Sequence, residues 1–297
     1  MSLVEEIAAL KEKQNAIILA HYYVPEEVQK VADHIGDSFY LAKVAAGTNA
    51  QTIVFCGVHF MSEGAKILCP EKRVLLPAPS ADCPMAHMAS AETIKELKEK
   101  ISDLAVVCYI NSTAALKSLA DVCVTSSNAV KIVKSLPEKN ILFIPDENLG
   151  SFVAAAVPEK KFYYSGGYCP VHAAVKVQDV IAAKKAHPDA LLLTHPECKK
   201  EVCELSDYIG STAGIISFAE KSDKKSFLVC TEPGVLSELY VRCPDKEFYP
   251  VTGICEDMKM ITLERVLNAL KTGEGEVPVE KWFEKARRPL ERMLELG

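Results

Sequence analysis

Short apolar runs rich in β-branched residues alternate along the chain with segments whose apolar residues recur at helical spacing. In the first third, the runs that predict buried strands are Ala16–Ala20, His34–Ile35, Thr52–Cys56 and Val74–Leu76. Helices are predicted behind Pro25 and at Ser38–Ala46, Ser62–Leu68 and Ala91–Lys100. Such alternation favours βαβ units and parallel sheets.

The same pattern occurs three times. Cys83, Cys169 and Cys255 stand in similar local sequences and are separated by 86 residues in both intervals. Other landmarks lie 88 and then 86 residues apart, including the prolines of three Pro-Glu-Lys or Pro-Asp-Lys segments. The residues that close an apolar run keep these intervals too; they are His21, Tyr109 and His195. Several landmarks in register indicate an internal triplication.

The triplication predicts the domain organisation. We expect α/β repeats at residues 16–103, 104–189 and 190–272. An N-terminal helix within residues 1–15 (Met1–Gln14) and a linker with a C-terminal helix at 273–297 lie outside them. The predicted fold is three three-layer α/β/α domains, related by a pseudo-threefold axis, whose parallel sheets surround a central active site.

Composition and charge exclude several classes of protein. The chain has 297 residues, of which 49% are hydrophobic and 25% charged, so disorder and coiled coil are excluded. The net charge of −6 argues against nucleic acid as a partner. The N-terminus lacks a signal-peptide pattern, and no apolar run reaches the ~20 residues of a membrane span. We therefore expect a cytoplasmic protein without a membrane partner.

The repeat sorts the 11 cysteines into three groups. Six occupy positions that other copies fill with apolar or small residues, which predicts buried hydrophobic filler; they are Cys56, Cys69, Cys108, Cys123, Cys230 and Cys243. Cys198 and Cys203 have no cysteine counterpart. Only Cys83, Cys169 and Cys255 are cysteine in all three copies.

Three symmetry-related thiolates suit a soft metal centre. Thiolates select zinc, copper(I) or iron–sulfur clusters, and structural zinc usually takes a fourth protein ligand. A cubane cluster held by three cysteines keeps one iron open to act as a Lewis acid. The alternative is that these are three structural cysteines placed by repeat symmetry alone.

Polar residues follow the predicted strands, and ligands bind beyond the carboxyl ends of strands in open parallel sheets. Those at the strand ends are His21, Tyr23, Tyr109, Asn111, His195 and Glu197. Small polar residues also open the predicted helices, where free N–H groups bind anions; these are Asp37, Ser38, Ser126, Ser211 and Thr212. Plain N-capping is the alternative for each of them.

Histidines and one carboxylate complete the candidate chemistry. His21, His172 and His195 each end or follow an apolar strand or cysteine turn, which indicates anion binding and proton transfer. A purely structural histidine is the alternative. Glu197 is the candidate general base, because a partly desolvated carboxylate beside a histidine gains basicity.

As a set, these residues resemble the quinolinate synthase family of bacterial and archaeal NAD biosynthesis. The resemblance runs from residue 17 to about 270 and rests on motifs around all three cysteines and all three strand-end groups. They are Leu19-Ala20-His21-Tyr22-Tyr23, Gly36-Asp37-Ser38, Cys83-Pro84-Met85-Ala86, Tyr109-Ile110-Asn111-Ser112, Thr125-Ser126-Ser127-Asn128-Ala129, Pro145-Asp146-Glu147-Asn148-Leu149-Gly150, Cys169-Pro170-Val171-His172, His195-Pro196-Glu197-Cys198, Gly210-Ser211-Thr212 and Cys255-Glu256-Asp257-Met258-Lys259. Some members carry a C-terminal CxxCxxC, whereas this chain has no cysteine after Cys255.

The resemblance implies an enzyme with a [4Fe–4S] cluster on Cys83, Cys169 and Cys255. It implies condensation of iminoaspartate with dihydroxyacetone phosphate to quinolinate, with loss of phosphate and two waters. Tyr23 and Glu197, with His21 and His195, would move protons. The implied substrate-binding residues are His21, Tyr23, Asp37, Ser38, Tyr109, Asn111, Ser126, His172, His195, Glu197, Ser211 and Thr212. It also leaves room for transient contact with the enzyme that supplies iminoaspartate.

Two other functions remain open on the sequence. Another [4Fe–4S]-dependent hydro-lyase would share the cysteines but would need no phosphate site. A non-catalytic iron–sulfur or metal sensor would place its thiols near a partner surface, and nothing in the chain indicates a partner-binding segment.

Overall fold

A computed structural model describes residues 2–297, so Met1 of the predicted N-terminal helix lies outside the described residues. The elements up to the first cysteine turn are α1 (Leu3–Lys13), β1 (Ala16–His21), α2 (Glu26–Gln29), β2 (His34–Gly36), α3 (Ser38–Gly47), β3 (Thr52–Cys56), α4 (His59–Leu68), β4 (Arg73–Leu75) and a 3-10 turn (Pro84–His87). Each predicted strand and helix of the first repeat is present. α4 begins three residues earlier than expected, because the N–H of His59 is bound by the carbonyl of Ala81 and a further turn forms.

The second and third repeats follow the same order of elements. The helix α5 (Ala91–Lys100) closes the first repeat. The elements of the second are β5 (Leu104–Tyr109), α6 (Ala114–Lys117), β6 (Val122–Val124), α7 (Ala129–Ser135), β7 (Asn140–Ile144), α8 (Glu147–Ala156), β8 (Lys161–Tyr164), α9 (Pro170–Ala173) and α10 (Val177–Ala186). Those of the third are β9 (Leu191–Thr194), α11 (Lys200–Cys203), β10 (Tyr208–Ile209), α12 (Thr212–Lys221), β11 (Ser226–Cys230), α13 (Val235–Arg242), β12 (Glu247–Pro250), α14 (Glu256–Lys259) and α15 (Leu263–Thr272), and the C-terminal helix is α16 (Phe283–Leu296).

Three four-stranded parallel sheets form the centre of the molecule. Their strand orders are β2-β1-β3-β4, β6-β5-β7-β8 and β10-β9-β11-β12, so one topology is used three times. Helices are interleaved with the strands, as the sequence predicted for three α/β/α units. The predicted fold class is confirmed.

The repeats also share polar contacts. In each, an aspartate accepts a hydrogen bond from the N–H of a central-strand residue: Asp33 from Ile18, Asp121 from Val106 and Asp207 from Leu192, at 2.8, 2.7 and 2.8 Å. A lysine donates to the carbonyls that end a helix in each repeat; the lysines are Lys72, Lys160 and Lys246. The triplication therefore extends to individual hydrogen bonds.

The apolar core is distributed unequally. One continuous cluster joins the first two sheets to α1, α15 and α16, whereas the third sheet has a separate cluster on each face. α16 packs on α4, α6 and β6, so it joins two repeats. The exact domain boundaries stay a prediction. Among the helices of residues 2–297, none has the length and apolar character that a bilayer crossing requires.

Candidate functional site

The carboxyl ends of strands from all three sheets meet at one cavity of about 280 Å³. Strand-end residues reach it from each repeat. The lining residues that the sequence singled out are His21, Tyr23, Asp37, Ser38, Cys83, Tyr109, Asn111, Ser126, Cys169, His172, His195, Glu197, Thr212 and Cys255. Ser211 stands apart, because its hydroxyl caps α12 by accepting from the N–H of Gly214. One topology used three times thus brings distant residues together.

Each repeated cysteine precedes a single helical turn. Cys83 is the N-cap of Pro84–His87, Cys169 of α9 and Cys255 of α14. All three are partly exposed on the cavity, whereas the six cysteines predicted to be filler are buried. The sorting of these nine cysteines by repeat comparison therefore matches their placement.

The three thiols suit a cationic centre. Burial, together with the negative charges of Glu197 and Cys255 and against the N–H groups of Met85 and Ala86, raises the pKa of Cys83 to about 12. Burial likewise raises the pKa of Cys169, helped by Glu197 and Cys83. Thiolates that repel one another across a cavity need a shared cation, and an iron–sulfur cluster supplies it. This donor set therefore fits the group that the sequence predicts.

Cys169 lies next to two other side chains of the types that bind metal ions, His172 and Glu197. Its Sγ, an imidazole nitrogen of His172 and a carboxylate oxygen of Glu197 lie within 4.8 Å of one another. His172 Nδ1 is 3.2 Å from this Sγ and 2.8 Å from Glu197 Oε2. A soft sulfur donor and harder nitrogen and oxygen donors thus lie together at one edge of the set of three cysteine thiols.

Backbone contacts fix the tautomers of two strand-end histidines. His21 Nδ1 accepts from the N–H of Tyr23 at 3.2 Å, and His195 Nδ1 accepts from the N–H of Glu197 at 3.3 Å. Burial lowers the pKa of His21 to about 3 and that of His195 to about 4. Both rings are therefore neutral near pH 7 and carry their proton on Nε2.

Glu197 has the opposite electrostatic character to the one expected from its sequence neighbourhood. Burial raises its pKa, but His195, His172 and the Tyr109 hydroxyl lower it more, to about 2. Tyr109 donates to Glu197 Oε1 at 2.6 Å. Because Tyr109 and His172 stabilise the carboxylate, Glu197 is a charged hydrogen-bond acceptor whose pKa is lowered, whereas its sequence neighbourhood predicted a raised one; its role as general base stays a prediction.

Tyr23 lies in a chain of hydroxyl groups. Its phenol is 2.6 Å from Thr212 Oγ1 and 2.8 Å from Thr231 Oγ1. Thr231 Oγ1 is also 3.0 Å from His172 Nε2. Burial raises the pKa of Tyr23 well above its ordinary value, so the phenol stays protonated. Sequence reasoning missed Thr231, although it directly follows β11 and the strand-end rule applies to it.

The polar residues near the helix starts differ in what they do. Asp37 caps α3 by accepting from the N–H of Tyr40, and burial raises its pKa. Ser38 is the first residue of α3 and Thr212 the first of α12. Ser126 lies ahead of α7, whose N-cap is Asn128. The N-termini of the long helices α3 and α12 therefore lie at the cavity, whereas Ser126 lines it from a turn.

Comparison with known proteins decides the family. The sequence profile of the quinolinate synthetase A protein family matches residues 5–295. The chain belongs to this family. A quinolinate synthase of Caldicellulosiruptor saccharolyticus is 53% identical over 98% of this chain and 97% of the relative. That of Clostridioides difficile is 47% identical over 99% and 98%, and quinolinate synthase 2 of Methanosarcina acetivorans is 47% identical over 99% and 96%. The family and the enzymatic function expected from the sequence are confirmed.

Proposed function

We propose that this member of the family condenses iminoaspartate with dihydroxyacetone phosphate, giving quinolinate, phosphate and two waters, with a [4Fe–4S] cluster on Cys83, Cys169 and Cys255. The observation that carries the proposal is the cavity itself. It combines three thiols from equivalent turns with neutral histidines, a carboxylate and a buried phenol. When bound, the cluster supplies an open iron as a Lewis acid for a substrate oxygen or nitrogen.

The chain's own groups bind the anionic substrates. His21 and His195 each carry the ring proton on Nε2, because their Nδ1 atoms already accept backbone hydrogen bonds. Each Nε2–H is thus a donor for an anionic substrate group. The N-termini of α3 and α12 add backbone donors and partial positive charge. With Asn111 and Ser126, these donors suit two carboxylates and a phosphate.

Proton movement is assigned to Tyr23 and Glu197. Tyr23 remains a phenol between two threonine hydroxyls and acts as the proton donor when hydroxyl groups leave as water. Glu197 is ionised and accepts from Tyr109, so it holds positive charge that develops on the substrate nitrogen. We also assign to Glu197 the acceptance of a substrate proton during enolisation and dehydration, with Tyr109 and His172 orienting its carboxylate.

The decisive experiment is an anaerobic assay of the iron–sulfide-reconstituted chain that follows both quinolinate and phosphate. We expect both products together, and loss of both with Cys83→Ala, which also loses the brown visible absorption. Cys243→Val is the matched control, since the second repeat has Val157 at this position and Cys243 is buried. A colourless reconstituted wild type would contradict the cluster. A coloured enzyme that dehydrates a hydroxy acid without releasing phosphate would instead support another hydro-lyase.

The cellular setting follows from the same proposal. The proposed substrates are small molecules that bind in the cavity, and the chain carries net negative charge, which disfavours nucleic acid. We infer a cytoplasmic enzyme that receives iminoaspartate from the enzyme that makes it, by transient contact or by diffusion.

A further inference from the structure

Each of the three cavity cysteines donates its own backbone N–H to a carboxylate. The acceptor of Cys83 is Asp82 Oδ1 at 2.8 Å. That of Cys169 is Asp146 Oδ2 at 3.1 Å, and that of Cys255 is Glu232 Oε1 at 3.3 Å. The backbone N–H groups of all three cavity cysteines are thus bound by acidic side chains, of which only Asp82 is adjacent to its cysteine in sequence.

Asp146 and Glu232 occupy the same place in two repeats. They are 86 residues apart, like Cys169 and Cys255, and each stands two residues beyond the end of a strand, β7 or β11. The first repeat has Val58 at this position and takes its carboxylate from Asp82. All three copies therefore have a carboxylate that binds the N–H of the cysteine. In the second and third copies it follows a strand, and in the first it is the residue that precedes the cysteine.

The carboxylates of Asp146 and Glu232 are buried, and both oxygens of each accept hydrogen bonds. Asp146 is 0% exposed, and its second oxygen accepts from the N–H of Leu149 at 2.6 Å, which caps α8. Glu232 is 1% exposed, and its second oxygen accepts from the N–H of Gly234 at 2.6 Å. Each side chain therefore joins a sheet end to a cysteine turn with both oxygens engaged.

Glu232 makes one contact that Asp146 lacks. Its Oε1 also lies 2.8 Å from Lys259 Nζ, and Lys259 is the last residue of α14, the turn that Cys255 caps. The Lys259 ammonium also donates a hydrogen bond to the carbonyl oxygen of Tyr23. One carboxylate thus holds the start and the end of the Cys255 turn against the catalytic strand-end segment of the first repeat.

We propose that Asp146 and Glu232 are positioning residues that anchor the turns of Cys169 and Cys255 and so retain the iron–sulfur cluster. This inference rests on the proposed function, because it assigns the cluster to those cysteines. Each carboxylate binds the backbone N–H of its cysteine, so the thiol of that cysteine stays available to the cavity. Partners of metal ligands commonly affect metal affinity by about 10–100-fold, which sets the scale expected here.

Amide variants test the anchors with little change in shape. Asp146→Asn and Glu232→Gln keep one acceptor oxygen but turn the other into an NH₂ group, which faces a backbone N–H that must then lose its partner. Asp207→Asn is the matched control, since Asp207 also accepts from a backbone N–H, that of Leu192, but lies outside the cavity lining. Glu232→Asp is a milder second variant that keeps the charge and shortens the side chain.

The main readout is the rate at which the anaerobic holoenzyme loses its visible absorption to an iron chelator. We expect about tenfold faster loss in Asp146→Asn and Glu232→Gln, and a smaller acceleration in Glu232→Asp. The control should lose its cluster at the wild-type rate even where its thermal midpoint falls as far. Wild-type rates in both anchor variants, or equally fast loss in the control, would overturn the proposal.

Amide hydrogen exchange of the iron-free chain supplies a readout that does not need the cluster. We expect faster exchange of the Cys169 amide in Asp146→Asn and of the Cys255 amide in Glu232→Gln, with the Leu192 amide responding only to Asp207→Asn. Unchanged exchange at both cysteines would refute the anchoring. If the wild type fails to take up iron while these amides respond, the cofactor assignment fails and the anchors are structural only.

Discussion

Tyr109 and Glu197 meet across a repeat boundary, with the phenol donating to the carboxylate at 2.6 Å. Tyr109 ends β5 in the second repeat, and Glu197 stands just beyond β9 in the third. Burial and the neighbouring Glu197 charge raise the pKa of Tyr109 well above its ordinary value, while its hydrogen bond helps to lower that of Glu197. The contact therefore fixes both a neutral phenol and an ionised carboxylate at the cavity wall.

Tyr109→Phe should remove this stabilisation and leave the ring in place. A hydrogen bond to a buried charged group is worth about 1.5–3 kcal/mol, so we expect kcat/KM for quinolinate formation to fall by roughly 10–100-fold. Anaerobic steady-state kinetics on the reconstituted enzyme measure the effect. Tyr163→Phe on β8 serves as a control of the same chemistry away from the cavity. Equal kcat/KM values in the two variants would refute the assigned role of Tyr109.

Thr231→Val should separate Tyr23 from His172, because the Thr231 hydroxyl is the only atom that contacts both in the chain of bonds described above. Valine preserves the shape of threonine and removes the hydroxyl. We expect kcat to fall by about tenfold or more with KM little changed, since the lost group orients a proton donor and does not hold the substrate.

The conservative variant Thr231→Ser provides the control for this prediction, because it retains the hydroxyl and loses only a methyl group. We expect it to recover most of the wild-type kcat. If Thr231→Val and Thr231→Ser show the same kcat, packing of the methyl group is what matters and the proposed hydrogen-bonded chain does not.

Much of the site was predictable because the repeat fixes which strand ends point to one place. Comparison of the three copies was enough to separate Cys83, Cys169 and Cys255 from buried cysteines such as Cys56 and Cys243. The rule that ligands bind beyond parallel strands then identified the polar cavity wall. Both inferences use only spacing and topology, which local sequence patterns specify well.

The electrostatics of the site could not be predicted in the same way. Sequence adjacency showed only that Glu197 follows His195 closely, whereas its contacts with Tyr109 and His172 come from the preceding repeat. Those contacts reverse the direction of its pKa. Asp146 and Thr231 were likewise missed, because their roles depend on which turn packs behind which strand end.

We expect the buried, neutral His21 to make the stability of the iron-free chain sensitive to acid. The pKa of His21 falls from an ordinary value of 6.5 to about 3 on folding, because burial disfavours the charged ring. Below pH 6.5 the unfolded chain binds a proton that the folded chain does not, so the free energy of unfolding decreases as the pH falls. Between pH 7 and pH 5 we expect a contribution of about 2 kcal/mol from this residue.

His21→Asn tests the contribution, since the amide oxygen can replace Nδ1 as the acceptor for the Tyr23 N–H and does not titrate. Urea unfolding at pH 7 and pH 5 should show a smaller loss of stability in the variant than in the wild type. His87→Asn, at an exposed position, should leave the wild-type difference intact. Identical pH dependence in His21→Asn and wild type would show that burial of His21 does not control acid stability.

Lysines that bind the ends of helices should contribute to stability without affecting catalysis. Lys246 is 9% exposed and donates to the carbonyls of Ala219 and Ser222, each at 2.6 Å, where α12 ends. Lys246→Met keeps most of the apolar stem and leaves these carbonyls without their donor. We expect the free energy of unfolding to fall by about 1–3 kcal/mol, measured by urea denaturation, with unchanged kcat.

Repeat symmetry sharpens this last prediction. Lys160 donates to the carbonyls of Leu136 and Glu138 in the second repeat, so Lys160→Met should cost a similar amount. Lys225→Met changes an exposed lysine that pairs with Asp245, and we expect a loss below about 0.5 kcal/mol. If the three variants lose equal stability, Lys160 and Lys246 contribute no more than a surface ion pair. A large loss confined to Lys160 and Lys246 would show that the repeated lysine is a structural requirement of the second and third repeats.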